Sequence, residues 1–266
     1  MIPQQVAAEV LRIDSAGLAA QRIKGGLTNE SWSVQGADDA VVVRISTVDE
    51  QALQLNRASE TSVLQLVQQA GIGAEVLLCA PERRLLVTRQ LQAETLTADA
   101  MRDPVIMMQL TALLRHLHSL PVAITIQQTN LLSILRGYWH SLDETQLPRR
   151  ESREVRAYAT DIATESSRSA MRCLCHNDVH HLNLMSDGQK LWLLDWEYAG
   201  IGDPFFDLAA VCCYHGYDPS LREKLLLAYH GTVLSAQKER LQRMCWLFDY
   251  IKVLWLAVRQ LQADAV

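Results

Sequence analysis

Apolar and polar positions follow two different periods along the chain, and the switch between them divides it. The first third reads mostly as strands. "RIKGGLTNESWSVQG" (22–36) holds two extended runs around a Gly-Gly turn, and "AVVVRIST" (40–47) is continuous and β-branched, as a buried strand would be. The period then changes: Leu53, Leu55, Ala58, Val63, Leu64 and Val67 recur at helical spacing, and Gly71 ends the run. "EVLLCAPERRLLVTRQL" (75–91) predicts two strands about a charged turn.

Beyond Leu91 helices dominate. Apolar periodicity predicts them over 105–120 (ended by Pro121), 130–144, 153–166, 204–216, 219–231 and 240–262. Short strands interrupt at "MRCLC", "LNLMS" and "LWLLD", with Asp187-Gly188 as a hairpin signal between the last two. The expectation is an α+β chain of two lobes, 1–91 and 92–266, joined by a short connection near 89–94. A cleft between such lobes is a common ligand site.

Composition narrows the function. The chain has 266 residues and a formal charge of −5, without the basic footprint of a general nucleic-acid binder. No apolar run approaches the roughly 18 residues of a membrane helix, and the N-terminus lacks a signal-peptide pattern, so a cytoplasmic protein without membrane or nucleic-acid partners is expected. Six cysteines, none in a C-x-x-C pair, suit free thiols in a reducing compartment. "CLCH" (173–176) looks like a soft-metal fragment, but no second pair stands at zinc-site spacing.

Residues 175–209, "CHNDVHHLNLMSDGQKLWLLDWEYAGIGDPFFDLA", concentrate ionisable groups between apolar runs, which is costly unless the groups are paired or used. His176, Asp178 and Asn183 form H-x-D-x-x-x-x-N, with Asp195 at the end of a later strand. This is the spacing of a kinase catalytic loop, where positioning and charge neutralisation carry phosphoryl transfer. His176 reads as a loop-orienting residue. "GGLTN" (Gly25, Gly26, Leu27, Thr28, Asn29) is a glycine turn whose backbone could approach phosphate. Arg44, a charge inside an apolar strand, wants a partner, and Glu60 on the following helix is the natural one.

These motifs resemble the aminoglycoside phosphotransferase and choline kinase superfamily. "CHNDVHHLN", "LLDWEYAGIGDPFFDLA", "GGLTN", "VVVRIS" and "LLRHLHSLP" stand in the expected order, and "DWEYAG" looks closest to bacterial choline and thiamine kinases. The resemblance implies a protein-kinase-like fold, with a small N-terminal sheet-plus-helix lobe that binds nucleotide and a larger, mainly helical lobe for catalysis and acceptor binding. It implies ATP and Mg2+ as cofactors and a small-molecule alcohol as acceptor. Asp178 is implied as the base or acceptor-orienting group, Asn183 and Asp195 as magnesium ligands, and Arg44 with Glu60 at the phosphates. Gln90 and Leu91 would meet the adenine, and Asp207 would brace the catalytic loop. For the acceptor, aromatic walls from Trp246 and Tyr250 with a carboxylate such as Glu197 or Asp249 would suit a cation such as choline, ethanolamine or thiamine. An antibiotic phosphotransferase and a non-catalytic nucleotide-binding pseudokinase are the alternatives. A protein kinase is disfavoured because D-F-G and A-P-E are missing.

Overall fold

The computed structural model describes residues 2–23, 28–37, 39–48, 50, 53–142, 146–147 and 151–264. An antiparallel five-stranded sheet forms the N-terminal part: β1 (Ala19–Ile23), β2 (Asn29–Gln35), β3 (Ala40–Ser46), β4 (Val76–Ala80) and β5 (Leu85–Arg89), in the order β1-β2-β3-β5-β4. Two helices flank it. α1 (Pro3–Leu11), preceding β1, is an element that the strand-dominated pattern did not predict; Pro3 opens it, and Arg12 closes it in the left-handed region. Its Val6 and Ala7 meet Val34, Val41, Val43 and Val87 in a small core of their own.

β3 is therefore buried alternately, not continuously. Val41 and Val43 are fully buried, while Val42 and Arg44 take the other face. That face looks toward α2 (Arg57–Gln69), capped by the Asn56 side chain on the Ser59 N–H. Val63, Leu64 and Val67 of α2 belong to the same large core as the C-terminal helices.

The connection after β5 carries β6 (Glu94–Thr95). α3 (Pro104–Ser119), α4 (Leu131–Ser141) and α5 (Arg153–Ser167) follow, then β7 (Cys173–Cys175), β8 (Leu184–Ser186), β9 (Leu191–Leu193) and β10 (Gly200–Gly202). α6 (Pro204–Tyr214), α7 (Pro219–His230) and α8 (Ser235–Asp264) complete the chain. β8 and β9 form the expected hairpin, its turn held by the Asp187 carboxylate on the Gln189 and Lys190 N–H groups, with Gly188 at φ 90°. β6 adds to that hairpin, and β7 pairs with β10, an element absent from the sequence reading. The architecture is α+β, an antiparallel-sheet lobe followed by a helical lobe. No helix among the described residues is long and apolar enough to cross a membrane.

Candidate active site

β7 leads into the loop that begins at His176, between sheet and helices, and the first turn of α6 pins it there. Asp207, with no exposed surface, accepts the His176 N–H on Oδ2 at 2.9 Å and the Asn177 N–H on Oδ1 at 2.6 Å. Asn177 sits at φ 69°, in the left-handed region that asparagine tolerates best after glycine. Its Nδ2 donates to the Tyr198 carbonyl at 2.8 Å and to Thr129 at 3.0 Å. His176 is buried; its Nε2 lies 2.8 Å from the Leu194 carbonyl, and its Nδ1 accepts the Asp178 N–H at 3.2 Å. Burial pushes its pKa down, outweighing Asp207 and Asp178, so the ring is a neutral strut.

Asp178 emerges with both oxygens engaged. Tyr214, at the end of α6, donates to Oδ1 at 2.7 Å; Asn183 Nδ2 lies 3.3 Å from Oδ2, and His180 Nε2 lies 3.4 Å from it. Burial works to raise the Asp178 pKa, but the hydrogen bond and charge of His180 and the hydrogen bond from Tyr214 hold it below the usual aspartate range. Asn183 also donates to the Asp178 carbonyl at 3.0 Å. Its carboxamide is thereby oriented, and its Oδ1 accepts no hydrogen bond among the described residues.

Leu194 ties this loop to the next carboxylate: its N–H donates to the Asn183 carbonyl at 2.8 Å, while its own carbonyl meets His176. The following residue, Asp195, takes φ 64°. Strained backbone of this kind tends to collect at functional positions. Arg44 Nη1 lies 3.1 Å from Asp195 Oδ1, and Arg44 Nη2 lies 2.5 Å from Glu60 Oε1, so the sequence-expected pair forms with Asp195 as a third member. Burial and the carboxylates of Glu197, Glu60 and Asp178 push the Asp195 pKa up to about 8, against the pull of Arg44. Asp195 and Asn183 thus present hard oxygen atoms where negative charge is in excess. That donor set fits Mg2+.

Glu197 is placed differently from the acceptor wall expected of it. It is 3% exposed and points into the lobe junction, where Oε1 accepts the Thr28 hydroxyl at 2.6 Å and Oε2 accepts Asn29 Nδ2 at 2.9 Å. Arg57 completes the junction, reaching Glu197 at 3.0 Å, Glu60 at 2.8 Å, Glu50 at 2.8 Å and the Ser46 hydroxyl at 2.9 Å. Thr28 and Asn29 are therefore clasped to the helical lobe. Gly25, Gly26 and Leu27 lie outside the described residues.

Gln90 and Leu91 stand at the connection, half-buried. The Gln90 N–H donates to the Ala40 carbonyl at 2.9 Å, and its Oε1 accepts the Ser33 hydroxyl at 2.7 Å.

Among the described residues, Trp246 and Tyr250 make no ring contact or hydrogen bond to the loop of 176–183. Their rings stack at 5.5 Å, Tyr158 packs edge-on to Trp246 at 4.6 Å, and the Tyr250 hydroxyl bonds Trp139 and Glu151. They are a seam between α8, α4 and α5. The cause is helical rotation: two positions along a helix turn the side chain by about 200°. Phe248 and Lys252 take the other face, Phe248 lying 5.4 Å from the Tyr214 ring and Lys252 Nζ 5.0 Å above it. Asp249, the other carboxylate considered for the acceptor, lies 3.5 Å from that ammonium.

Arg57 and Tyr214 were not identified as site residues from the sequence. Arg57 carries a weak signal, since a cation in the first turn of a helix opposes the helix dipole unless it is paired. Tyr214 carries none.

A family model described as "Phosphotransferase enzyme family" matches residues 19–243. Protein LicA of Haemophilus influenzae is 23% identical over 249 residues, covering 89% of this chain and 72% of that protein. Thiamine kinase of Shigella boydii serotype 4 is 35% identical over 103 residues, 39% of this chain and 36% of that protein. Among solved structures, choline kinase LicA from Streptococcus pneumoniae superposes with a TM-score of 0.82 at 21% identity, covering 97% of this chain and 91% of that one. A structure of LicA in complex with AMP gives 0.77 at 20% identity, over 98% and 91% of the two chains. At these identities the structural likeness concerns the fold.

Proposed function

The chain belongs to the phosphotransferase enzyme family, and on that premise we propose that it transfers the terminal phosphoryl group of ATP, with Mg2+, to the hydroxyl of a small cationic alcohol of the choline, ethanolamine or thiamine type. The observation that carries this reading is the convergence of Asp178, Asn183 and Asp195 through Leu194, with Arg44 and Glu60 facing them from the sheet lobe. The relatives named choline and thiamine kinases support the acceptor class. The AMP held by a LicA structure supports a nucleotide in the cleft.

In this reading residues 1–91 bind nucleotide and 92–266 bind acceptor and carry the chemistry. Asp178 orients the acceptor hydroxyl and takes its proton; its lowered pKa keeps it ionised at neutral pH. The hydroxyl would join or replace the contacts Asp178 now makes, with Tyr214 on Oδ1 and with Asn183 and His180 on Oδ2. Asn183 and Asp195 would hold Mg2+, which neutralises phosphate charge when bound. Arg44, steadied by Glu60, contacts phosphate. Thr28 and Asn29 are clasped by Glu197, and Gly25, Gly26 and Leu27 before them in the chain would bring backbone N–H groups to phosphate. The backbone of Gln90 and Leu91 receives the adenine. His176 and Asp207 keep the loop in shape.

ATP consumption measured over choline, ethanolamine, thiamine, aminoglycosides and amino sugars tests the reading. The expected result is stimulation by one of the cationic alcohols that disappears in Asp178→Ala. Stimulation by none of the panel, or an unimpaired variant, overturns it.

A further inference from the structure

Directly behind the catalytic loop lies a group of side chains that phosphoryl transfer does not use. Cys173 and Cys175 occupy β7 two positions apart, so both thiols leave the same face of the strand. Their Sγ atoms are 3.8 Å apart. His118, at the end of α3, brings a ring nitrogen to them; the three potential ligand atoms all lie within 4.8 Å of one another. This is the partner that "CLCH" lacks in the sequence, supplied from 55 residues upstream of Cys173 by the packing of α3 against β7.

The geometry agrees with a tetrahedral thiolate site. Metal–sulfur bonds of about 2.3 Å at the tetrahedral angle set two sulfurs about 3.8 Å apart. The imidazole is prepared as well. Its Nε2 lies 3.0 Å from Asp207 Oδ2, an oxygen that already accepts the His176 N–H. An ionised carboxylate only accepts, so Nε2 carries the hydrogen and Nδ1 keeps the lone pair. A carboxylate that receives the far N–H is the usual second partner of a metal-binding histidine. Nδ1 faces the Tyr229 hydroxyl at 2.6 Å. Cys175 is fully buried and the His118 side chain is 5% exposed, whereas Cys173 is half-buried and gives a way in.

We propose that Cys173, Cys175 and His118 form a site for a thiophilic divalent cation, Zn2+ or Cd2+ in class, with the Tyr229 hydroxyl at the fourth position and separate from the oxygen site at Asn183 and Asp195. Closing the tetrahedron asks the hydroxyl to retreat from Nδ1 by roughly 0.7 Å, for bonds of about 2.0 Å to each. Both thiols lose their protons on binding. The ion would join β7, α3 and, through Asp207, the backbone of His176 and Asn177. It would therefore stiffen the loop that presents Asp178 without touching the reacting atoms.

The test uses the full chain, stripped with a chelator and titrated with Co2+, whose thiolate charge-transfer absorption and tetrahedral visible bands report sulfur coordination. One equivalent is expected to bind, undisturbed by excess Mg2+, and Cys173→Ser is expected to weaken it by about 100-fold. Cys79→Ser, a half-buried thiol in the sheet lobe, serves as the control and leaves the titration unchanged. A second readout needs no variant: stoichiometric Cd2+ is expected to protect Cys173, but not Cys79, from alkylation as mapped by peptide mass. Absence of the charge-transfer band, a band insensitive to Cys173→Ser, or unprotected Cys173 in the cadmium-treated chain would each overturn the proposal. None of these readouts depends on the acceptor or on turnover.

Discussion

Arg44, Arg57 and Glu60 of the sheet lobe meet Glu197 of the helical lobe through side-chain ion pairs, whereas within the helical lobe Asp207 commits both oxygens to the backbone N–H groups of His176 and Asn177. The first arrangement can be re-paired. Arg44 holds Glu60 and Asp195 together, and phosphate with its metal could replace Asp195 as its partner without leaving a charge alone. The second cannot be re-paired, because backbone donors have nowhere else to turn once buried. On the proposed function both are needed: a wall that rearranges as nucleotide enters and a base that stays where it is.

The sharpest attempt to break this contrast is Asp178→Ala. Turnover is expected to fall by about 10²–10⁴-fold with nucleotide affinity nearly unchanged, measured by steady-state kinetics and ATP titration. A large loss of ATP affinity would place Asp178 with the re-pairing wall instead. Asp207→Ala comes next. It strands the N–H groups of His176 and Asn177 and the ring of His118, and about 3–5 kcal/mol of stability is expected to disappear in urea denaturation. Glu197→Gln keeps the shape but removes the charge and turns one of the two oxygens that accept from Thr28, Asn29 and Arg57 into a donor NH2, so a smaller loss of about 1–2 kcal/mol and a raised KM for ATP are expected. Equal losses in the two variants would erase the distinction between the walls.

The pH dependence of metal binding sharpens the re-pairing side. Burial and the neighbouring carboxylates push the Asp195 pKa up to about 8, so on the proposed function Mg2+ would compete with a proton there. Apparent Mg2+ affinity, measured by titration of the nucleotide-free chain, is expected to rise about tenfold per pH unit up to that value and then level off. The sign for stability is opposite. Between the ordinary aspartate pKa of 3.8 and about 8 the folded state binds a proton that the unfolded chain has released, so metal-free stability falls as pH rises through this window, and Asp195→Asn removes that slope.

The smallest effects concern the acceptor. Lys252 lies over the face of Tyr214, the ring that bonds Asp178, and a cationic acceptor would compete with that ammonium. Lys252→Met is expected to lower the KM for a cationic alcohol by about 2–30-fold, the range of one cation–π contact, with kcat nearly constant. Tyr250→Phe, in the α8 seam, is expected to cost only about 1 kcal/mol of stability and to leave that KM alone.

Much of this was legible before folding because it is written in short-range pattern. The β8–β9 hairpin follows from Asp187-Gly188 between apolar runs, and the spacing of His176, Asp178 and Asn183 marks a loop that has work to do. Arg44 betrayed its need for Glu60 by standing charged in an apolar strand, sixteen residues before it. α1 escaped because Val6, Ala7 and Val10 are too few to set a period against the strands that follow, yet they suffice once a sheet face is there to cover. Trp246 and Tyr250 misled for a related reason. An aromatic stripe declares that a helix has a packed face, but not which neighbour it packs on.

What the sequence determined by itself, then, is the succession of periods, the turns and the set of reactive groups, because these depend on residues within about four positions of one another. The tertiary structure alone decided that Glu197 turns inward to clasp Thr28 and Asn29, that Tyr214 meets Asp178, and that His118 completes the pair of thiols on β7. Those partners lie tens to more than a hundred residues apart along the chain. Only the docking of elements around a shared core can select them, since charge and periodicity at one position carry no record of what a distant segment will bring beside it.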